Sequence, residues 1–110
     1  MDASEQANLT EALDRMWVQF LPQMRERVAT LETAAAAFTA GRLSLEQHVA
    51  ANAAAHKLAG ILGTFNLTRG TVLARELEIM YSRDDGPDPA LAERLTEIAA
   101  ELHSIVENRK

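Results

Sequence analysis

Apolar residues recur at three- and four-residue spacing through Leu9, Leu13, Met16, Trp17, Phe20, Met24, Val28, Leu31, Ala35 and Phe38, with polar residues between them. That period marks one stripe of a long amphipathic helix, whose end is signalled at Gly41. Pro22 falls inside the stripe, where it removes a backbone donor and crowds the preceding turn. The expectation is either a kink near residues 18–21 or two helices meeting there. Ser44, with Gln47 three residues on, forms a capping-box pattern that opens a second helix through Leu45, Ala51, Ala55, Leu58 and Leu62. Gly63 is its expected end, and Gly63-Thr64-Phe65-Asn66 reads as a tight turn, because Gly and Asn tolerate left-handed backbone angles. Thr68 is the expected cap of a third helix that carries Val72, Leu73, Leu77 and Met80 inward and fades in the breaker run at 82–87. Asp88 followed by Pro89 signals a fourth helix, with the stripe Leu91, Leu95, Ile98, Leu102, Ile105 and Val106. Short connections make successive helices antiparallel neighbours. The predicted fold class is therefore all-α, an antiparallel four-helix up-down bundle with an N-terminal helical extension, forming a single domain over residues 1–110.

Composition narrows the classes of function. The 110 residues are 47% hydrophobic and 25% charged, enough apolar mass for one core. Many Ala and Leu with few aromatics favour helix throughout, since unbranched side chains lose little rotamer freedom there. Cysteine is absent, so neither a disulfide framework nor a thiolate metal site is available, and a cytoplasmic location is the simplest expectation. Residues 2–11 are polar and acidic, and no segment approaches the roughly 18 uninterrupted apolar residues of a membrane span. A net charge of −5 argues against nucleic acid, whose phosphates are held mainly by clustered Lys and Arg. The expected partner is a protein.

The candidate chemistry centres on His56. At about 100° per residue, Ala51, Ala55, Leu58 and Leu62 fall on the opposite, buried side of its helix, while Asn52, Ala53, Ala59, Gly60 and Gly63 lie within about 60° of it. All five are small or short, so the imidazole is expected to project from a low, flat docking surface. A Gly inside a helix costs roughly 1 kcal/mol relative to Ala. Gly60 therefore needs a reason, and close approach by a partner's backbone supplies one. A free imidazole titrates near about 6.5, so at neutral pH one ring nitrogen offers a lone pair without a general base. Phosphoryl transfer to such a ring depends on in-line positioning and on neutralising the equatorial oxygens, which a partner can deliver through a metal ion and a lysine. Lys57, about 100° around the helix, is placed to reach a phosphate on His56. His48 sits about 160° from His56 and is expected to be a partly buried structural residue, and His103 to be solvated. No metal site is expected, since His48 and His56 point to opposite faces. Arg69 and Arg75 could steer an acidic partner, while Glu76 and Glu78 are expected to pair locally on the helix surface.

These residues carry a resemblance. The stretch Ala55-His56-Lys57-Leu58-Ala59-Gly60-Ile61-Leu62-Gly63-Thr64-Phe65-Asn66-Leu67, followed by Leu73-Ala74-Arg75-Glu76-Leu77-Glu78, resembles the signature of the histidine-containing phosphotransfer (HPt) family. That signature is His-x-Leu-x-Gly, a downstream Gly and aromatic, then a leucine-rich helix ending near Leu-Glu. The resemblance implies that His56 is the phosphoacceptor, Gly60 the close-approach glycine, and Leu58 and Leu62 the core residues that fix the helix. It implies partners with a phospho-accepting aspartate, the receiver domains of response regulators or hybrid histidine kinases, with Mg²⁺ on their side and no cofactor of the chain's own. Two departures stand out: Ala59 replaces a lysine common three residues after the histidine, and Asn66 stands where glycine is common. Phosphate stabilisation then falls to Lys57 or is weaker. With no Gly-rich phosphate loop and no room for an ATP-binding domain, the chain is expected to be a monomeric phosphoryl carrier and not an autokinase. Three alternatives accompany that reading: a receiver-binding adaptor that has lost phosphorylation, the phosphoacceptor domain of a larger chemotaxis-type or hybrid histidine kinase, and a structural homo-oligomeric bundle.

Overall fold

In the computed structural model, which describes residues 2–109, four α-helices follow one another with no strand among the described residues. They are α1 (Ala3–Thr39), α2 (Leu45–Thr64), α3 (Thr68–Met80) and α4 (Ala92–Glu107), the last preceded by a 3₁₀ turn at Pro89–Leu91. The starts of α1, α2 and the 3₁₀ turn have a local cause. Asp2 accepts from the Glu5 amide, and Ser44 and Gln47 close the predicted capping box on α2. Asp88 accepts from the Ala90 amide ahead of Pro89, satisfying a donor that the first turn would otherwise leave orphaned.

Three local expectations are corrected. α1 runs unbroken through Pro22, so two helices do not meet at 18–21. One missing donor is tolerated because neighbouring turns keep their bonds and one face of the helix is packed on the core. α2 continues past Gly63 to Thr64, and the left-handed residue of the turn is Asn66, at φ 56°. Thr68 is the first residue of α3 and does not cap it; Leu67 precedes it without any side-chain cap.

The core is formed by Met24, Val28 and Leu31 of α1, Leu58 and Leu62 of α2, Leu73 and Leu77 of α3, and Leu95, Ile98 and Leu102 of α4, all buried. Leu9, Met16, Leu45 and Val72, placed by periodicity on the inward stripes, are exposed instead. Leu9 lies near the start of α1, which outruns its neighbours: its 37 residues span about 55 Å at 1.5 Å each, against about 30 Å for the 20 residues of α2, while Met16 borders an open groove beside α2. The molecule is accordingly elongated, 53 × 20 × 20 Å.

Cross-helix pairs give the register. Arg25 and Glu32 of α1 reach Glu107 and His103 of α4. Arg69 and Glu76 of α3 reach Glu101 and Arg94 of α4. At the end of α2 the Phe65 ring stacks edge-on to Trp17 at 5.1 Å, and the Arg109 guanidinium lies 5.0 Å from the Trp17 ring centre. Gly70 lets α3 approach closely, since a Cβ there would stand 2.8 Å from Leu62 Cδ1 and 3.3 Å from Ile105 Cγ2.

Candidate functional site

His56 sits in the middle of α2 with its side chain 70% exposed, as the helical phase predicted. Its ring is not free on all sides. Nδ1 lies 2.6 Å from Oε2 of Glu78, a residue of α3 whose side chain is only 26% exposed. An ionised carboxylate can only accept, so Nδ1 carries the proton and donates it to Glu78. In the neutral form of the ring Nε2 then holds the lone pair. The carboxylate fixes the ring's tautomer and orientation, and it stabilises positive charge gained when Nε2 forms a bond.

Glu78 is itself held in place. Asn52, one turn before His56, donates its amide to the Glu78 carbonyl at 2.9 Å. A turn further back, Nε2 of half-buried His48 meets the Tyr81 carbonyl at 2.6 Å, the ring donating because a carbonyl can only accept. Asn52 and His48 thus stitch the start of α2 to the end of α3 and set the height of Glu78 beside His56. His48 has the structural role expected of it. His103 is exposed as expected, and faces Glu32 across 3.2 Å.

The five residues expected to form a docking surface differ in exposure. Ala53, Gly60 and Gly63 are exposed around His56. Ala59 is 2% exposed, on the flank of α2 that packs toward α3, and so offers a partner nothing; Asn52 is half-buried and spends its amide on Glu78. On the other flank an open groove of about 670 Å³ runs between α1 and α2, walled by Met16, Phe20 and Gln23 on one side and by His56, Lys57 and Gly60 on the other. Lys57 is exposed and shares this groove with the imidazole. A Cβ built on Gly60 meets nothing within 4 Å, so no packing inside the chain explains that glycine. Arg69 is engaged by Glu101 at 2.7 Å. Glu76 and Glu78 do not pair along their own helix; they cross to Arg94 and His56.

The model of the Hpt domain family matches residues 15–108. The chain belongs to that family. No curated protein and no solved structure matches it. Hpt domains are phosphoryl carriers of two-component signalling, working with receiver domains and kinases. Among the described residues, no helix of this Hpt domain is long and apolar enough to cross a membrane. Sequence reasoning missed Glu78 as a site residue, and it assigned Asn52 to the docking surface, whereas its amide is bonded to the Glu78 carbonyl. A signal for Glu78 existed: it lies eleven residues after Leu67 and His56 eleven before it, so a hairpin turning at Leu67 brings the two level.

Proposed function

We propose that this Hpt domain accepts a phosphoryl group on Nε2 of His56 from the aspartyl phosphate of a receiver domain and passes it to another receiver. The observation that carries the reading is the His56–Glu78 pair: Nδ1 is occupied, which leaves Nε2 as the nucleophile on a side chain that is 70% exposed. In the transfer the Nε2 lone pair bonds to phosphorus while the phosphorus–oxygen bond to the aspartate breaks. The carboxylate leaves with that electron pair. The Nδ1 proton stays between the ring and Glu78, so no general base is needed. Lys57 neutralises phosphoryl oxygens from within the groove, and Mg²⁺ does so from the receiver's side. Gly60, Ala53 and Gly63 leave room for the receiver's backbone.

The cross-helix pairs run in opposite order along the two chain segments they join, Asp14, Arg25 and Glu32 meeting Arg109, Glu107 and His103, and Arg69 and Glu76 meeting Glu101 and Arg94, which supports an antiparallel up-down bundle working as one domain. We place it in the cytoplasm as a monomeric carrier without a cofactor of its own. The test is direct. Incubated with radiolabelled phosphorylated receivers, the protein should gain base-stable, acid-labile label, whereas His56→Gln should keep its helical circular dichroism and gain none. Label retained by His56→Gln would refute the assignment, and the absence of any transfer to the wild-type chain would favour the adaptor reading that the Ala59 departure suggests.

A further inference from the structure

Leu45 and Val49 are the large apolar residues of α2 that remain exposed, at 75% and 61%. A helix places its side chains at about 100° intervals, which puts Leu45 about 20° to one side of His56 and Val49 about 20° to the other. An isolated exposed apolar residue needs no explanation, since surfaces carry many. Two on the narrow stripe that also carries the nucleophile are a different matter, because whatever docks on His56 lies over them. From the rise per residue, Val49 stands about 10 Å and Leu45 about 16 Å along the axis from His56. A standard interface covers about 800 Å² on each partner, a disc of about 16 Å radius. A receiver centred on His56 therefore covers Val49 fully and reaches Leu45 at its rim. In the other direction the stripe offers only Gly60 and Gly63, with no side chain to grip.

We infer that Val49, assisted by Leu45, is an apolar anchor for the docking receiver and selects among receivers those with an apolar patch about 10 Å from the phosphorylated aspartate. The inference rests on the proposed role of His56 and extends it. Gly60 and Gly63 admit any backbone, while Val49 rewards only a matching surface. Partner choice is thus separated along one helix from chemistry.

The test compares two phosphoryl donors, purified receiver domains phosphorylated beforehand and phosphoramidate, a donor too small to touch Val49. Val49→Asp should lower transfer from the preferred receiver by about tenfold or more, as loss of an interface anchor does. It should leave labelling of His56 by phosphoramidate unchanged. Val18 supplies the control: it is 68% exposed on α1, about 160° around that helix from the groove residue Phe20. Val18→Asp should alter neither reaction. Receiver transfer that is unimpaired in Val49→Asp, with His56→Gln inactive, would overturn the anchor and leave the carrier reading standing. Labelling of His56→Gln would overturn both. Sedimentation in which Val49→Asp turns a dimer into a monomer would also overturn the anchor, assigning the stripe to a second copy of the chain.

Discussion

At the scale of single residues, the proposed chemistry turns on which nitrogen of His56 is free. The helical phase put the ring on the surface, but a ring that rotates and changes tautomer presents a nucleophile only part of the time. Glu78 removes both freedoms through one hydrogen bond of 2.6 Å, and Asn52 holds the backbone from which Glu78 reaches. Glu78→Ala should therefore slow transfer from a receiver by about ten- to a hundredfold, the loss usual when the partner that orients a functional imidazole is removed. Glu78→Gln keeps an acceptor oxygen and should recover most of that rate. Nitrogen NMR of the ring separates orientation from folding: the protonated Nδ1 form should dominate in the wild type and in Glu78→Gln, and mix with the other tautomer in Glu78→Ala.

At the scale of elements, two glycines in neighbouring helices make opposite predictions. Gly60 is surrounded by open space, so Gly60→Ala adds a better helix former without a clash and should raise stability by about 1 kcal/mol. That corresponds to roughly 4 °C in Tm for a domain of this size. Gly70 has Leu62 Cδ1 at 2.8 Å and Ile105 Cγ2 at 3.3 Å from the added carbon, so the fully buried Leu62 side chain must shift within the core. Overpacking of this kind costs about 1–3 kcal/mol, so Gly70→Ala should lower Tm despite the same gain in helix propensity. Thermal melts of the two variants check both signs. The pair also shows how legible the elements were. Ser44 and Gln47 declared the start of α2 because a capping box is complete within four residues. The burial of Gly70, the exposure of Val72 and the passage of α1 through Pro22 were not declared, since each depends on which neighbouring helix stands alongside.

For the molecule as a whole, three ion pairs tie α4 to α1 and α3. Glu107, Glu101 and Glu76 accept hydrogen bonds from Arg25, Arg69 and Arg94, each at 2.7 Å, and these bonds hold all three carboxyls below their ordinary value of 4.5. Their exposure keeps each contribution small. The sign is definite: a carboxyl whose folded value is depressed contributes its full stability above the ordinary value and loses it as pH falls through the depressed one. The urea midpoint should therefore decline as pH drops below about 4.5. The combined variant Glu76→Gln, Glu101→Gln, Glu107→Gln should decline less, and an equal decline would remove these pairs as the cause.

The sequence by itself determined the helices, the caps at Ser44 and Asp88, the leucines of the central core and the outward His56, because a 3.6-residue period and a capping side chain act within a turn or two of chain. It also determined the family, whose motif is compact around that histidine. Only the tertiary structure decided that Glu78 would orient the ring, that Asn52 would brace Glu78, and that Ala59 would face a neighbour and not a partner. Those facts join residues on different helices. Their register follows from the turn at Asn66 and Leu67 and from how the buried side chains interlock, which no local period encodes.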